Sequence, residues 1–284
     1  MSVYWGEKMN KVWFITGSAK GLGNAIVNEV LVHGDCVAAV TRKENDISVS
    51  SEYESRFLHL VLDISNPDQK LYEKAVQKAV EKFGRIDVLV NNAGYGAVTN
   101  FEETSEETVK KLYEVNVFGT MRVTRAVLPV MRKQRSGHIF NVASTAAYAP
   151  GPVIYHSSKF AVTGFSVALA FEVEPFGIKV TNVAQGMFRT DFYSKGKWGT
   201  EADFHIEDYD KNRWQPGLVA ECQKNLQSGN PKKLAKVIIM ASESNNPPLH
   251  LGIGEDAPAV MDSYCAKIKE DTDAWRDVAS KTSF

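Results

Sequence analysis

"KVWFITGSAKGLGNAIVNEVLVHG", Lys11 to Gly34, starts as an apolar run, breaks at glycines 17, 21 and 23, and resumes as an amphipathic pattern. The first part predicts a strand at 11–15 and the last part a helix. The glycines between them are spaced G-x-x-x-G-x-G, which is neither G-x-G-x-x-G nor the G-x-x-x-x-G-K-[ST] loop. The placement nonetheless meets the same physical demand. The chain must turn sharply out of a strand, let a diphosphate approach the backbone, and offer it the free N–H groups of a helix start. On this stretch alone a glycine turn without a ligand stays open as the alternative.

Outward from that unit, short aliphatic runs alternate with longer amphipathic segments. Strands are predicted at 11–15, 36–40, 57–62, 86–91, 137–142, 178–183 and 249–253. One helix is predicted from Pro67, after the cap signal "SNP", to about Phe83; another runs from Tyr155 to near Pro175, with Gly177 closing it. Alternation of this kind predicts an α/β chain: a Rossmann-type, doubly wound, seven-stranded parallel sheet with helices on both faces. One domain is read over 11–284, with residues 1–10 as an N-terminal extension. Residues 188–231 break the alternation and are read as a specificity insertion. They carry Phe188, Phe192, Tyr193, Trp198, Phe204, Tyr209 and Trp214, which fit either a lid over an apolar substrate or a minor core.

Composition narrows the partners. Of 284 residues 24 % are charged and the formal net charge is −1, which argues against nucleic acid and against a polybasic membrane contact. Cys36, Cys222 and Cys265 are far apart and not beside ligand-spaced histidines, so they read as free thiols and no metal is expected. No apolar run nears the ~18 residues of a membrane span. The first residues, "MSVYWGEKMNK", lack the apolar core of a secretion signal, and a cytoplasmic location is expected.

Two further features carry chemistry. After the second strand come Thr41, Arg42 and Lys43, where a dinucleotide fold places the residue that reads the adenosine ribose. A neutral residue followed by arginine suits a 2′-phosphate, and Lys20 adds a charge from the glycine turn. Tyr155 and Lys159 are four apart on a predicted helix and so share one face, where an ammonium favours the phenolate.

Taken together, T-G-x-x-x-G-x-G at Thr16–Gly23, "NNAG" at Asn91–Gly94, Asn116 in "EVNVFGT", Ser144 in "FNVAST" and Y-x-x-x-K at Tyr155–Lys159 resemble the short-chain dehydrogenase/reductase family over about 11–190. "PPLHLGIG", 247–254, is similar to its steroid-dehydrogenase-like and retinol-dehydrogenase-like carbonyl reductases. The resemblance implies an NADP(H)-dependent oxidoreductase interconverting a ketone or aldehyde and an alcohol, and the aromatic residues of 188–231 point to a bulky apolar substrate. It implies Tyr155 as general acid, Lys159 on the nicotinamide ribose and lowering the tyrosine pKa, Ser144 on the substrate oxygen, and Asn116 holding a relay water. It places the cofactor against Gly17, Ser18, Lys20, Gly21, Leu22 and Gly23 in the first turn, then Thr41 and Arg42, then Asp63 and Ile64. Asn92, Ala93 and Gly94, together with Tyr155 and Lys159, continue the cofactor site, and Gly186, Phe188 and Thr190 close it. Substrate contacts are expected from Ser144, Tyr148, Tyr155, Gln185 and Phe192, and a homodimer or homotetramer is implied. The chain departs from the pattern in two places. Ser144 and Tyr155 stand only eleven apart, and Gln185-Gly186 replaces Pro-Gly. A dinucleotide-sensing regulatory protein without turnover is the alternative, although such a protein has no need of a proton donor.

Overall fold

The structure is a computed structural model in which residues 10–192, 202–211 and 227–282 are described. Tyr193, Trp198, Trp214 and Cys222 fall outside these residues; Cys36 and Cys265 are free thiols. The strands are β1 (Val12–Thr16), β2 (Cys36–Thr41), β3 (Phe57–Val61), β4 (Val88–Asn91), β5 (Gly137–Val142), β6 (Ile178–Gln185) and β7 (His250–Ile253). They form one parallel sheet in the order β3-β2-β1-β4-β5-β6-β7.

Period-two alternation divides the core in two, because successive strand side chains point to opposite faces. Trp13, Ile15, Val37, Val88 and Phe140 pack on one face with Ile26 and Val30 of α1 (Gly21–His33) and Leu234 and Ile238 of α6 (Pro231–Glu243). Phe14, Ala38, Leu89 and Ile139 pack on the other. There they meet Tyr72 and Val76 of α2 (Gln69–Phe83), Val123 and Val127 of α4 (Thr120–Gln134), and Leu169 and Val173 of α5 (Val153–Val173). The remaining helices are α3 (Glu106–Tyr113) and α7 (Ala257–Ala279). Among the described residues no helix is long and apolar enough to cross a membrane.

Some boundaries differ from the sequence reading. α2 starts at Gln69 rather than Pro67, because Asn66 Oδ1 accepts the Asp68 N–H at 2.9 Å and leaves Asp68 to cap the helix through Lys70 N at 3.0 Å. α5 starts at Val153, directly after Pro152. β6 extends to Gln185 because it is paired on both sides, with Gln185 opposite Ile253 of β7.

Polar groups also hold α5 to the sheet. Asn91, Asn141 and Asn182 are register partners across β4, β5 and β6, and all three are buried. Asn91 Nδ2 donates to Asn141 Oδ1 at 2.8 Å, and Asn141 Nδ2 donates to Ser166 Oγ of α5 at 2.9 Å. Thr163 Oγ1, also on α5, donates to Asn182 Oδ1 at 3.3 Å.

His138 of β5 is 4 % exposed, and its Nε2 lies 2.9 Å from Thr181 Oγ1. Thr181 spends its own proton on Pro248 O at 2.8 Å, so His138 donates through Nε2. Burial, reinforced by Lys179 and Lys11, pulls its pKa down to about 3. The unfolded chain therefore binds a proton between pH ~6.5 and ~3 that the native state refuses, and stability falls with falling pH across that window. Relative to wild type, His138→Gln is expected to lose ~2 kcal/mol less stability between pH 7 and pH 4.5, read from urea midpoints at both values.

Candidate active site

The sheet order reverses direction between β1 and β4, and a crevice opens there at the carboxyl ends of the strands. It is a cleft of about 550 Å³. On its floor the glycine turn is held against the "NNAG" segment. Thr16 Oγ1 accepts the N–H groups of Asn92 at 3.0 Å and Ala93 at 3.1 Å, while Asn92 Nδ2 donates to Thr16 O at 3.0 Å and Gly17 O at 3.2 Å. Gly17 has φ +68°, and a Cβ on it would meet Ala93 Cα at 2.8 Å. A Cβ on Gly23 would meet Gly17 O and Asn92 Nδ2. The start of α1 has no side-chain cap and no acidic residue in its first turn. Its free N–H groups and dipole therefore favour an anion, which fits a dinucleotide diphosphate.

Lys20, Arg42 and Lys43 line the same cleft, are exposed, and make no ion pair among the described residues. Thr41 fixes the base of the Arg42–Lys43 loop: its Oγ1 donates to Lys43 O at 2.8 Å and accepts from His59 Nε2 at 2.7 Å. Asp46 and Tyr95 also line the cleft and were not foreseen. Asn45, with φ +63°, turns the chain just before Asp46, and Tyr95 directly follows "NNAG", the one signal that marks it.

Farther in, Ser144, Tyr155 and Lys159 line the cleft together. Tyr155 and Lys159 come from the first turns of α5, and Ser144 from the bend after β5, where its Oγ accepts the Ala146 N–H at 3.1 Å. Burial pushes the Tyr155 phenol up to about 12, opposed by its hydrogen bond with Ser144. Burial draws Lys159 down to about 8. The expected lowering of the phenol by Lys159 is thus not what governs it; desolvation is. Lys159 Nζ lies 5.8 Å from the Tyr155 ring centroid and donates to Val142 O at 3.0 Å.

Asn116 sits in a π-helical turn, Glu114–Gly119, between α3 and α4. Its Oδ1 accepts the Tyr95 N–H at 3.0 Å, and its Nδ2 donates to Tyr95 O at 2.9 Å and Ser158 Oγ at 3.2 Å. The side chain thus holds the β4 exit against α5 and does not line the cleft.

Gly21, Leu22, Asp63, Ile64, Gly94, Gly186, Phe188 and Thr190 all line it, as do Gln185 and Phe192. Asp63 also closes a turn, its Oδ1 accepting from Ser65 N at 2.9 Å. Gln185 Nε2 donates to Ala143 O at 3.3 Å, while its buried Oε1 has no hydrogen-bond partner among the described residues. Three expected contacts are not brought to the cleft. Ser18 is fully buried, donating through Oγ to Ile15 O at 2.8 Å, and Gly23 packs beneath Gly17. Tyr148 turns away: its OH accepts from Asn182 Nδ2 at 3.0 Å and lies within hydrogen-bond distance of His250 Nδ1, at 2.9 Å.

The aromatic insertion divides. Phe188 joins the core, and the Phe192 ring lies 6.0 Å from that of Tyr155. Phe204 and Tyr209 lie on a separate segment, Phe204 being exposed and Tyr209 bonded to Glu102 at 2.7 Å.

Residues 11–198 match the short chain dehydrogenase family model. The chain belongs to that family. It is an oxidoreductase of the short-chain dehydrogenase class, with the dinucleotide site that class uses. An oxidoreductase of Botryotinia fuckeliana, BOA17, is 36 % identical over 95 % of this chain and 98 % of its own length. A 3-ketodihydrosphingosine reductase of Bacteroides thetaiotaomicron is 34 % identical over 86 % of this chain and 88 % of its own. A short-chain dehydrogenase from Streptomyces avermitilis superposes with a TM-score of 0.85 at 32 % identity, covering 98 % of this chain and 100 % of that one. Other solved structures of this fold hold NADP or NADH.

Gly17→Ala tests the turn, since both its left-handed φ and the contact with Ala93 oppose a Cβ. The variant is expected to lose ~1–3 kcal/mol of stability and at least about tenfold in affinity for a reduced nicotinamide dinucleotide, read by thermal melts and by fluorescence titration of the dinucleotide.

Proposed function

We propose that the protein is an NADP(H)-dependent carbonyl reductase acting on a bulky apolar ketone or aldehyde. The observation that carries this reading is the buried Tyr155 phenol beside Ser144, in the same cleft as an uncapped helix N-terminus and three cations that make no ion pair among the described residues. The choice of NADP(H) rests on Lys20, Arg42 and Lys43. No carboxylate ends β2 to accept a ribose hydroxyl, and a guanidinium with two ammonium groups suits a 2′-phosphate. The preference for a bulky apolar substrate rests on Phe188 and Phe192 in the cleft wall, and a relative named for reducing a ketone is in keeping with it.

Gly17, Gly21, Leu22, Asn92, Ala93 and Gly94 would hold the dinucleotide, with Gly186 and Thr190 at its nicotinamide end. When bound there, it supplies the hydride. The chain's own residues handle the proton. Tyr155 at about 12 is an acid that keeps its proton at neutral pH, and it can give that proton to a carbonyl oxygen as negative charge develops. Ser144 donates a second hydrogen bond to the same oxygen and steers it toward the phenol. Lys159, whose Nζ is anchored on Val142 O, has further protons for ribose hydroxyls and a charge that stabilises the phenolate left behind. Asn116 keeps Tyr95 and α5 in place. In the reverse direction the phenolate is the base.

Two substitutions test the assignment. Tyr155→Phe is expected to lower kcat for carbonyl reduction by roughly 10²–10⁴ while NADPH affinity stays within about twofold, and wild-type turnover would remove the proton-donor role. Arg42→Asp is expected to move the NADPH/NADH ratio of kcat/KM toward NADH by at least about tenfold; an unchanged ratio would take Arg42 out of the cofactor site.

A further inference from the structure

After Gly94 and Tyr95 the β4–α3 connection leaves the cleft and passes through the 3-10 turn Phe101–Glu103. Glu103 is 1 % exposed there. A carboxylate so buried is costly unless its lone pairs are met. Both of its oxygens have donors: Asn100 Nδ2 reaches Oε2 at 2.7 Å, and the Ile206 N–H reaches Oε1 at 2.9 Å. Ile206 belongs to the insertion after β6. Around this central bond the two segments are joined further. Phe204 N donates to Glu103 O at 3.1 Å, Ser105 N donates to Asp203 Oδ2 at 2.7 Å, and Tyr209 OH donates to Glu102 Oε2 at 2.7 Å.

Phe192 lines the cleft beside Tyr155, and Gln227 Oε1 accepts the N–H of Thr190, another cleft residue, at 3.0 Å. Residues 203–209 are fastened to the connection whose other end, Gly94–Tyr95, lines the same cleft. Two segments that each reach the cleft are therefore tied to one another outside it. We propose that Glu103 is a positioning residue: through Ile206 it ties the insertion to the β4–α3 connection and so sets the width of the substrate entrance. This rests on the reading of the cleft as a carbonyl-reducing site. None of the tied residues lines the cleft or touches the dinucleotide turn, and the effect of losing the tie is expected to fall more on the carbonyl compound than on NADPH.

The test compares Glu103→Ala with Glu103→Gln in the full chain. Glutamine keeps an oxygen for Ile206 N–H, and the Asn100 amide can turn over to accept from the new Nε2. Ketones of graded size are assayed with NADPH, and exchange protection of the Ile206 and Phe204 amides is followed in parallel. Glu103→Ala is expected to lose that protection and to change KM for the bulkiest ketone by at least about tenfold. For it, kcat, KM for the smallest ketone and NADPH affinity should stay within about threefold, and Glu103→Gln should behave as wild type. Loss of protection with an unaltered KM profile overturns the proposal, as does retained protection in the alanine variant. Should Glu103→Ala not fold, Asp203→Ala breaks the tie at its exposed edge and is expected to give the same size-dependent change; a wild-type KM profile there overturns the proposal. Turnover by wild type tests the proposed function separately. If wild type turns over none of the ketones, that function fails, and the entrance is then read as the ratio of ketone affinities for the two proteins bound to NADPH, by NADPH fluorescence. An equal affinity for every ketone, or binding of none, overturns it.

Discussion

The seat of α5 on the sheet is the constraint on which the site depends. Tyr155 and Lys159 project from this one helix, and their aim is only as good as its rotation and depth. Apolar contacts alone leave such a helix free to slide by small amounts, since they are not directional. The asparagine row across β4, β5 and β6 removes that freedom, because each amide needs a partner at one distance and angle. Ser166 and Thr163 supply those partners from the buried face of α5, one to two turns beyond Lys159. Buried polar groups are costly when misplaced, so a shift of α5 is penalised in proportion to the bonds it breaks.

Much of this was legible in the sequence, and the reasons are local. Seven runs of β-branched and aliphatic residues were long enough to show as strands, and turn residues bounded them. Gly17, Arg42, Ser144, Tyr155 and Lys159 could be read because each lies at a strand end or on one helix face, where position alone implies direction. What escaped the reading depends on contacts between distant segments. Nothing near Tyr148 shows that its hydroxyl will meet Asn182 and His250, the latter 102 residues away. Nothing near Glu103 announces a partner 103 residues downstream. Pro67 misled for a smaller reason: Asn66 and Asp68 are both cap-formers, and the choice between them rests on a single hydrogen bond.

The ionisation of Tyr155 and Lys159 also belongs to the fold and not to the motif. Four-residue spacing brings an ammonium near a phenol and suggests a lowered phenol pKa. Burial acts on both groups at once, favouring the neutral form of each. Desolvation therefore makes Tyr155 a reluctant acid and Lys159 an ammonium that starts to give up its charge at mildly basic pH. For a reaction whose developing charge lies on the substrate oxygen, that is a useful starting state: the proton is present, and the field that draws it out rises only as the reaction proceeds.

The π-turn at Glu114–Gly119 has a consequence for how this chain can change over time. Such a turn holds an extra residue, and one residue in a helix is a rotation of about 100°. Everything C-terminal to Asn116 in that helical rod is set in phase by it, including Val123, Val127 and Met131, which α4 buries against the sheet. Shortening the turn to regular helix would swing that apolar stripe toward solvent at the same moment as it moved Asn116 off Tyr95 and Ser158. A one-residue deletion there is thus penalised twice, once in the site and once in the core. Core packing holds the irregularity in place independently of the asparagine's own bonds.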